Sequence, residues 1–145
     1  MNNSWQDSLP RERVRLVEAQ LSHAADTRAQ AEIALEWRAV EYRGKAAAVG
    51  HGAVDLRVCA EATLDALHRL LGARVSFRLV GVKAVRAFDD LVAIVALSVL
   101  DPETGGHRRL VGTAPTDDGS LPHGVARAVL NATNRVLGNF LATGE

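Results

Sequence analysis

The sequence predicts an α+β fold, a two-layer sandwich made of two βββα units, with six antiparallel strands and two helices on one face. Three observations lead there. Residues 29–37 alternate apolar and polar side chains at period two, and residues 56–71 and 121–137 carry apolar stripes at the period of a helix. The third is an echo: AEATLDALHRLLG at 60–72 returns as ARAVLNATNRVLG at 126–138. At a shift of 66, Ala60, Ala62, Leu64, Ala66, Arg69, Leu71 and Gly72 fall on identical residues.

Taken in order, the segment RVRLVEAQLSHA places Val14 and Leu16 on one parity and Val17, Ala19 and Leu21 on the other. A strand with a bulge near Val17 reconciles the two, and an amphipathic helix is the competing reading. Ala25, Asp26 and Thr27 supply turn chemistry either way. Next, Ala29, Ala31, Ile33, Leu35 and Trp37 share one parity, while Gln30, Glu32 and Glu36 lie on the other, the pattern of a half-buried strand. Val40, Tyr42 and Gly44 continue the period after a reversal at Arg38 and Ala39, which predicts a hairpin without the usual Asn-Gly or Asp-Gly. From Leu56 the residues Leu56, Cys59, Ala60, Thr63, Leu67, Leu70 and Leu71 form one helical stripe, with Asp55 in the N-cap role and Gly72 as the stop.

The second half repeats the order. VSFRLVGVKAVRAF, LVAIVALSVL and RRLVGTA read as strands, separated by Asp89-Asp90 and by residues 101–106. A helix follows from about Leu121 to Leu137, capped by Ser120, with Pro122 in its first turn and Val125, Val129, Leu130, Thr133 and Leu137 inward. A shift of 63 lays Arg15, Leu16, Val17 and Asp26 on Arg78, Leu79, Val80 and Asp89, and a two-residue gap brings Gly44 onto Gly112. The repeat therefore favours a strand for the doubtful first segment, whose counterpart RLVGVKAV is plainly β. The organisation expected is a short tail (1–10), one domain of two repeats (11–72 and 73–140) and a short C-terminal tail (141–145). Its six strands are expected to zip side by side under both helices.

Composition narrows the function. A chain of 145 residues buries roughly 70% of its unfolded surface and needs no staples. Cys59 stands alone among small apolar neighbours and reads as a buried hydrophobe. Seventeen basic and seventeen acidic residues cancel, so no cationic field gathers phosphates. Residues 56–137 do run helix, three strands, helix, the order of a double-stranded RNA-binding domain. The last helix, however, opens with Leu121, Pro122, His123 and Gly124 where that module needs cations, so no nucleic-acid partner is expected. No segment approaches the roughly 20 apolar residues that cross a bilayer, and the N-terminus has no secretory pattern, so no membrane partner and a cytoplasmic location are expected.

Catalytic constellations are missing from the pattern. Gly50-His51-Gly52 lacks the spacing of a phosphate or dinucleotide loop, and no GxSxG, HExxH or CxxC is present. His51 and His123 fall in corresponding loops and are the one histidine pairing of interest. No cofactor, no metal and no enzymatic activity are expected. The two middle strands differ on their back parity. Gln30, Glu32, Ala34 and Glu36 suit water, whereas Val92, Ile94, Ala96, Ser98 and Leu100 need a cover. A second copy meeting Val92, Ile94, Ala96 and Leu100 is the favoured cover, and the N-terminal tail is the alternative.

GHGAVD at 50–55, LVGTAPTDD at 110–118 and ARAVLNATNR at 126–135 together resemble the C-terminal regulatory domain of the isopropylmalate and citramalate synthases. The resemblance implies a doubled strand-strand-strand-helix module that dimerises and binds an end-product amino acid. The catalytic barrel of those enzymes, about 250 residues, has no counterpart here. A ligand carboxylate would meet the helix N-termini beside Gly50, His51, Gly52 and Gly119, and Asp55, Asp117 and Asp118 would receive an ammonium group. The competing reading is that these are turn and cap residues only. A ligand-free assembly protein that oligomerises through the apolar sheet face is the alternative function.

Overall fold

The computed structural model describes residues 13–100, 104–116 and 120–143. The order is β1 (Arg15–His23), β2 (Arg28–Trp37), β3 (Val40–Val49), α1 (Ala53–Leu71), a 3-10 turn (Gly72–Arg74), β4 (Phe77–Ala87), β5 (Asp90–Leu100), β6 (His107–Pro115) and α2 (Leu121–Thr143). This is the α+β architecture of two βββα units that the alternation and the echo imply. The first segment is a strand and not a helix, and its pairing with β2 slips between Leu16 and Glu18, which leaves Val17 as the bulged residue. The pairing of β4 with β5 slips between Leu79 and Gly81, leaving Val80 in the corresponding position. The 63-residue shift that aligned Val17 with Val80 thus aligned two bulges.

The strands do not zip into one sheet. They form two separate three-stranded antiparallel sheets, β1-β2-β3 and β4-β5-β6. The edge strands β1 and β4 are both bulged, and each lies against the helix of the other unit: α1 touches β4 and α2 touches β1. A bulged edge covered by a helix is a poor template for further pairing. α1 otherwise rests on β2 and β3, α2 rests on β5 and β6, and the helices touch each other. This exchange of contacts is what an approximate twofold between the units requires.

Because each helix is enclosed on more than one side, its buried surface is wider than a single stripe. Val58, Cys59, Ala60, Ala62, Thr63, Leu64, Ala66, Leu67, Leu70 and Leu71 are all buried in α1. The closest approach is between strand and helix. A Cβ on Gly44 would stand 2.1 Å from the Ala62 carbonyl oxygen and 2.3 Å from the Ala66 nitrogen, and one on Gly112 would stand 2.1 Å from Ala128 oxygen and 2.4 Å from Ala132 nitrogen. Only glycine admits this contact, and the same trio recurs in both units. A polar clamp recurs beside it. The Lys45 N–H donates to Asp65 Oδ2 (3.0 Å), and Asn131 Nδ2 donates to the Thr113 carbonyl (2.7 Å). Asp65 and Asn131 are equivalent at the shift of 66, so one helical position ties down the outer strand in each unit.

The Arg38-Ala39 hairpin is present, with φ of 54° and 64° at its two central residues. The second hairpin turns at Phe88 and Asp89 (φ 53° and 67°), with Asp90 already in β5, one residue earlier than the expected Asp89-Asp90. Both turns have the two positive φ values of a primed hairpin turn, which matches strand twist. At the first, the Arg38 guanidinium lies 4.3 Å from the Trp37 ring centroid. Trp37 Nε1 is buried without a hydrogen-bond partner among the described residues.

Cys59 is fully buried, and desolvation with Asp55 nearby raises its thiol to about 12. It is a core residue, as its small apolar neighbours implied. His68 has a more specific role. The Phe77 N–H donates to its Nε2 (3.0 Å), and the two rings stack at 6.2 Å. Burial lowers the His68 pKa from its ordinary value, while Asp65 and Glu61 pull the other way. The unfolded chain, with His near 6.5, therefore binds the proton more readily than the folded one. The His68 contribution to stability is complete above about pH 6.5 and is lost as pH falls through the lower folded value. Urea unfolding at pH 7.5 and 5.0 is expected to show a larger acid loss for the wild type than for His68→Gln; equal losses would sink this role.

Candidate functional site

The sequence singled out two places, the loops that lead into the helices and the outer face of the second sheet. Between β3 and α1, Gly50 adopts φ 141° and its N–H donates to the Thr27 carbonyl (3.1 Å). Gly52, at φ 68°, holds the N-cap position of α1 with no side-chain cap, and the Asp55 N–H donates to its carbonyl (2.9 Å). The helix thus starts at Ala53, and Asp55 is not the N-cap but a residue of the first turn. There it favours the positive end of the helix dipole. The chain uses glycine because the cap backbone is left-handed, a geometry an Asp N-cap does not share.

Asp55 Oδ1 lies 2.9 Å from His23 Nε2, joining the start of α1 to the end of β1. The carboxylate assigned to an ammonium ligand therefore already has an internal partner. His51 is exposed, as are Gly52 and Ala53 around it. In the second unit Ser120 precedes α2 and its Oγ pairs with His123 Nδ1. The Thr116 N–H and hydroxyl both donate to the Leu91 carbonyl (2.8 and 3.0 Å), which pins the end of β6 to β5. Asp117, Asp118 and Gly119 lie outside the described residues. No group of three or more potential metal-ligating side chains occurs among the described residues, and His51 and His123 are not brought into one.

The outer faces of the two sheets differ sharply. On the first sheet, Arg43 reaches Glu41 (2.7 Å), Glu32 (2.8 Å) and Glu18 (3.0 Å), and Arg15 reaches Glu36 (2.6 Å). These are solvated ion pairs worth little individually. They nevertheless shelter Ala34, which is fully buried on the face where it was expected to meet water. On the second sheet the strand register sets Val85, Val92 and Pro115 in one row, Lys83, Ile94 and Thr113 in the next, and Gly81, Ala96 and Val111 in a third. Val92, Ile94 and Ala96 are half-buried, while Leu100 is 50% and Val111 59% exposed. Sequence reasoning found the β5 residues by parity. It missed Val85 and Val111, because only the register shows that they extend the patch across three strands. Arg78 and Arg109 flank Ser98 in the row between Ala96 and Leu100, and Lys83 stands beside Ile94 on the edge strand β4, so cations border the apolar centre on two sides.

No protein-family model matches the chain, and no curated protein matches it.

Proposed function

We propose that the chain is a non-catalytic regulatory module that works as a homodimer through the outer face of the second sheet, as the resemblance to amino-acid-sensing regulatory domains implies. One observation carries this reading. Two units alike in bulge, glycine contact and clamp differ in the face they turn outward, charged on the first sheet and apolar on the second. A face that departs from its own internal copy in this direction suits burial against another surface, and a second copy brings a matching apolar face. The loops at Gly50, His51, Gly52 and Asp55 and at Asp117, Asp118 and Gly119 remain the place for an amino-acid-like metabolite, which would lie at the open end of α1 and its counterpart in α2.

The second reading, a ligand-free assembly protein, is favoured by the spent polar groups of the first loop. Gly50 N–H serves Thr27, and Asp55 serves His23. Sedimentation equilibrium is expected to give twice the chain mass for the wild type and a monomer for Ile94→Lys, because a second lysine on the central strand, beside Lys83 on the edge strand, must be desolvated to bury the face. A wild-type monomer at high concentration would discard the dimer. A concentration-dependent rise in the thermal midpoint with amino acids or oxo acids favours the sensor, and an unchanged midpoint favours the scaffold.

A further inference from the structure

A groove of about 470 Å³ runs between the start of β1, the end of β6 and α2, floored by Val14, Leu16 and Leu130 and rimmed by Arg13, Arg15 and Arg127. The internal repeat relates it to the place between the start of β4, the end of β3 and α1. At the shift of 63, Val14 corresponds to Phe77, and at the shift of 66, Asn134 corresponds to His68. Phe77, only 3% exposed, fills that place and stacks on His68. Each place is built by a strand of one unit and the helix of the other: the groove has Val14 and Asn134 where its counterpart has Phe77 and His68. The charge also differs, since Arg127 stands where the first unit has Glu61, and Asn131 where it has Asp65.

The chain also carries a side chain of the missing kind. Phe88 sits at the tip of the β4–β5 hairpin and is 99% exposed, with φ 53°, a backbone geometry that non-glycine residues seldom adopt. Asp89 and Asp90 follow it, both exposed and without an ion-pair partner among the described residues. Arg86, two positions before, lies on the parity opposite the outer face. An exposed phenyl followed by two carboxylates matches an apolar groove rimmed by three guanidinium groups, of which Arg15 is shared with Glu36 and Arg127 also has another interaction.

We infer that the Phe88-Asp89-Asp90 hairpin tip of one copy docks in the β1–α2 groove of a second copy, with the phenyl in the position that Phe77 occupies at the repeat-related place. The inference rests on the homodimer reading and adds to it a second, reciprocal contact: each tip enters the partner's groove. Aromatic anchors in desolvated pockets dominate association energies, and the charged rim sets orientation.

The test is self-association of the full chain by sedimentation equilibrium. Phe88→Asn is the informative variant, because Asn suits a positive φ and leaves the fold intact. It is expected to weaken association by roughly 30-fold. Two charge reversals sharpen the result. A tip-reversed chain (Asp89→Lys with Asp90→Lys) and a groove-reversed chain (Arg13→Glu with Arg127→Glu) each weaken alone, and mixing them restores a dimer, since both contacts then pair opposite charges. Unchanged association in Phe88→Asn, or no recovery on mixing, overturns the hairpin docking. If Ile94→Lys still dissociates the protein in that case, the sheet-face dimer stands without it. If Phe88→Asn weakens association and Ile94→Lys does not, the docking stands and the sheet-face contact falls. A monomeric wild type overturns both.

Discussion

Alanine at Gly112 is expected to destabilise the domain by about 3 kcal/mol or more, a large share of the roughly 5–15 kcal/mol that holds an ordinary domain together. The added methyl would meet Ala128 oxygen at 2.1 Å, Ala132 nitrogen at 2.4 Å and Ala132 Cα at 2.8 Å. All three are backbone atoms of a helix, so no rotamer change relieves the overlap. β6 must instead leave α2, which breaks the Asn131 clamp and opens the buried positions Val125, Val129 and Thr133 beneath it. Gly44→Ala is expected to cost a similar amount against α1, and the double variant is expected not to fold. Truncating the helix side does not rescue, because Ala132→Gly leaves its nitrogen and Cα in place. Gly81 provides the control. A Cβ there meets nothing within 4 Å, and Gly81→Ala is expected to stay within about 0.5 kcal/mol of the wild type. Urea midpoints for the three single variants decide the matter. A mild Gly112→Ala would show that the strand and helix are not locked at this contact.

The glycine pair also shows what sequence could and could not reveal. A gap adjustment placed Gly44 on Gly112 and the echo placed Ala62 and Ala66 on Ala128 and Ala132, so every participant was visible. What remained hidden was that they meet, because contact between strand and helix is a tertiary fact. The same divide runs through the rest of the fold. Parity placed the inward residues of β2 and the outward residues of β5, and the conflict of parity at Val17 located a bulge. Whether β1 pairs with β4 depends on where the helices lie, and helical stripes do not disclose that. Asp55 looked like a cap because aspartate commonly is one, yet the left-handed backbone at Gly52 moved the helix start forward. The turn at Phe88 was misplaced by one residue for a related reason. Two adjacent aspartates are good turn chemistry, whereas a phenylalanine at positive φ goes against local preference. Departures of this kind collect at surfaces with other tasks. The loop at Gly50 was legible as glycine-rich and exposed, but the pairing of Asp55 with His23, 32 positions away, was not.

Removing the side chain that faces each glycine across the sheet should test the same contact from the other direction. Ile33 pairs with Gly44 and Val95 pairs with Gly112 in register, and both side chains are fully buried. Ile33→Ala removes three carbons, and its expected cost is about 2–5 kcal/mol, from lost transfer energy plus the cavity left behind. The upper part of that range is favoured because the surroundings resist collapse: β3 is already seated on the α1 backbone and clamped at Asp65. Ile33→Val, which removes one carbon, should cost about 1 kcal/mol. Val95→Ala removes two, and at about 0.8 kcal/mol per methylene its cost should fall between those of the two Ile33 variants. Denaturant unfolding with unchanged m-values would measure these differences between native states that still unfold in one step. An Ile33→Ala cost below about 1 kcal/mol would mean that the site closes over the lost carbons, and a strand able to move that far is not held by the glycine contact.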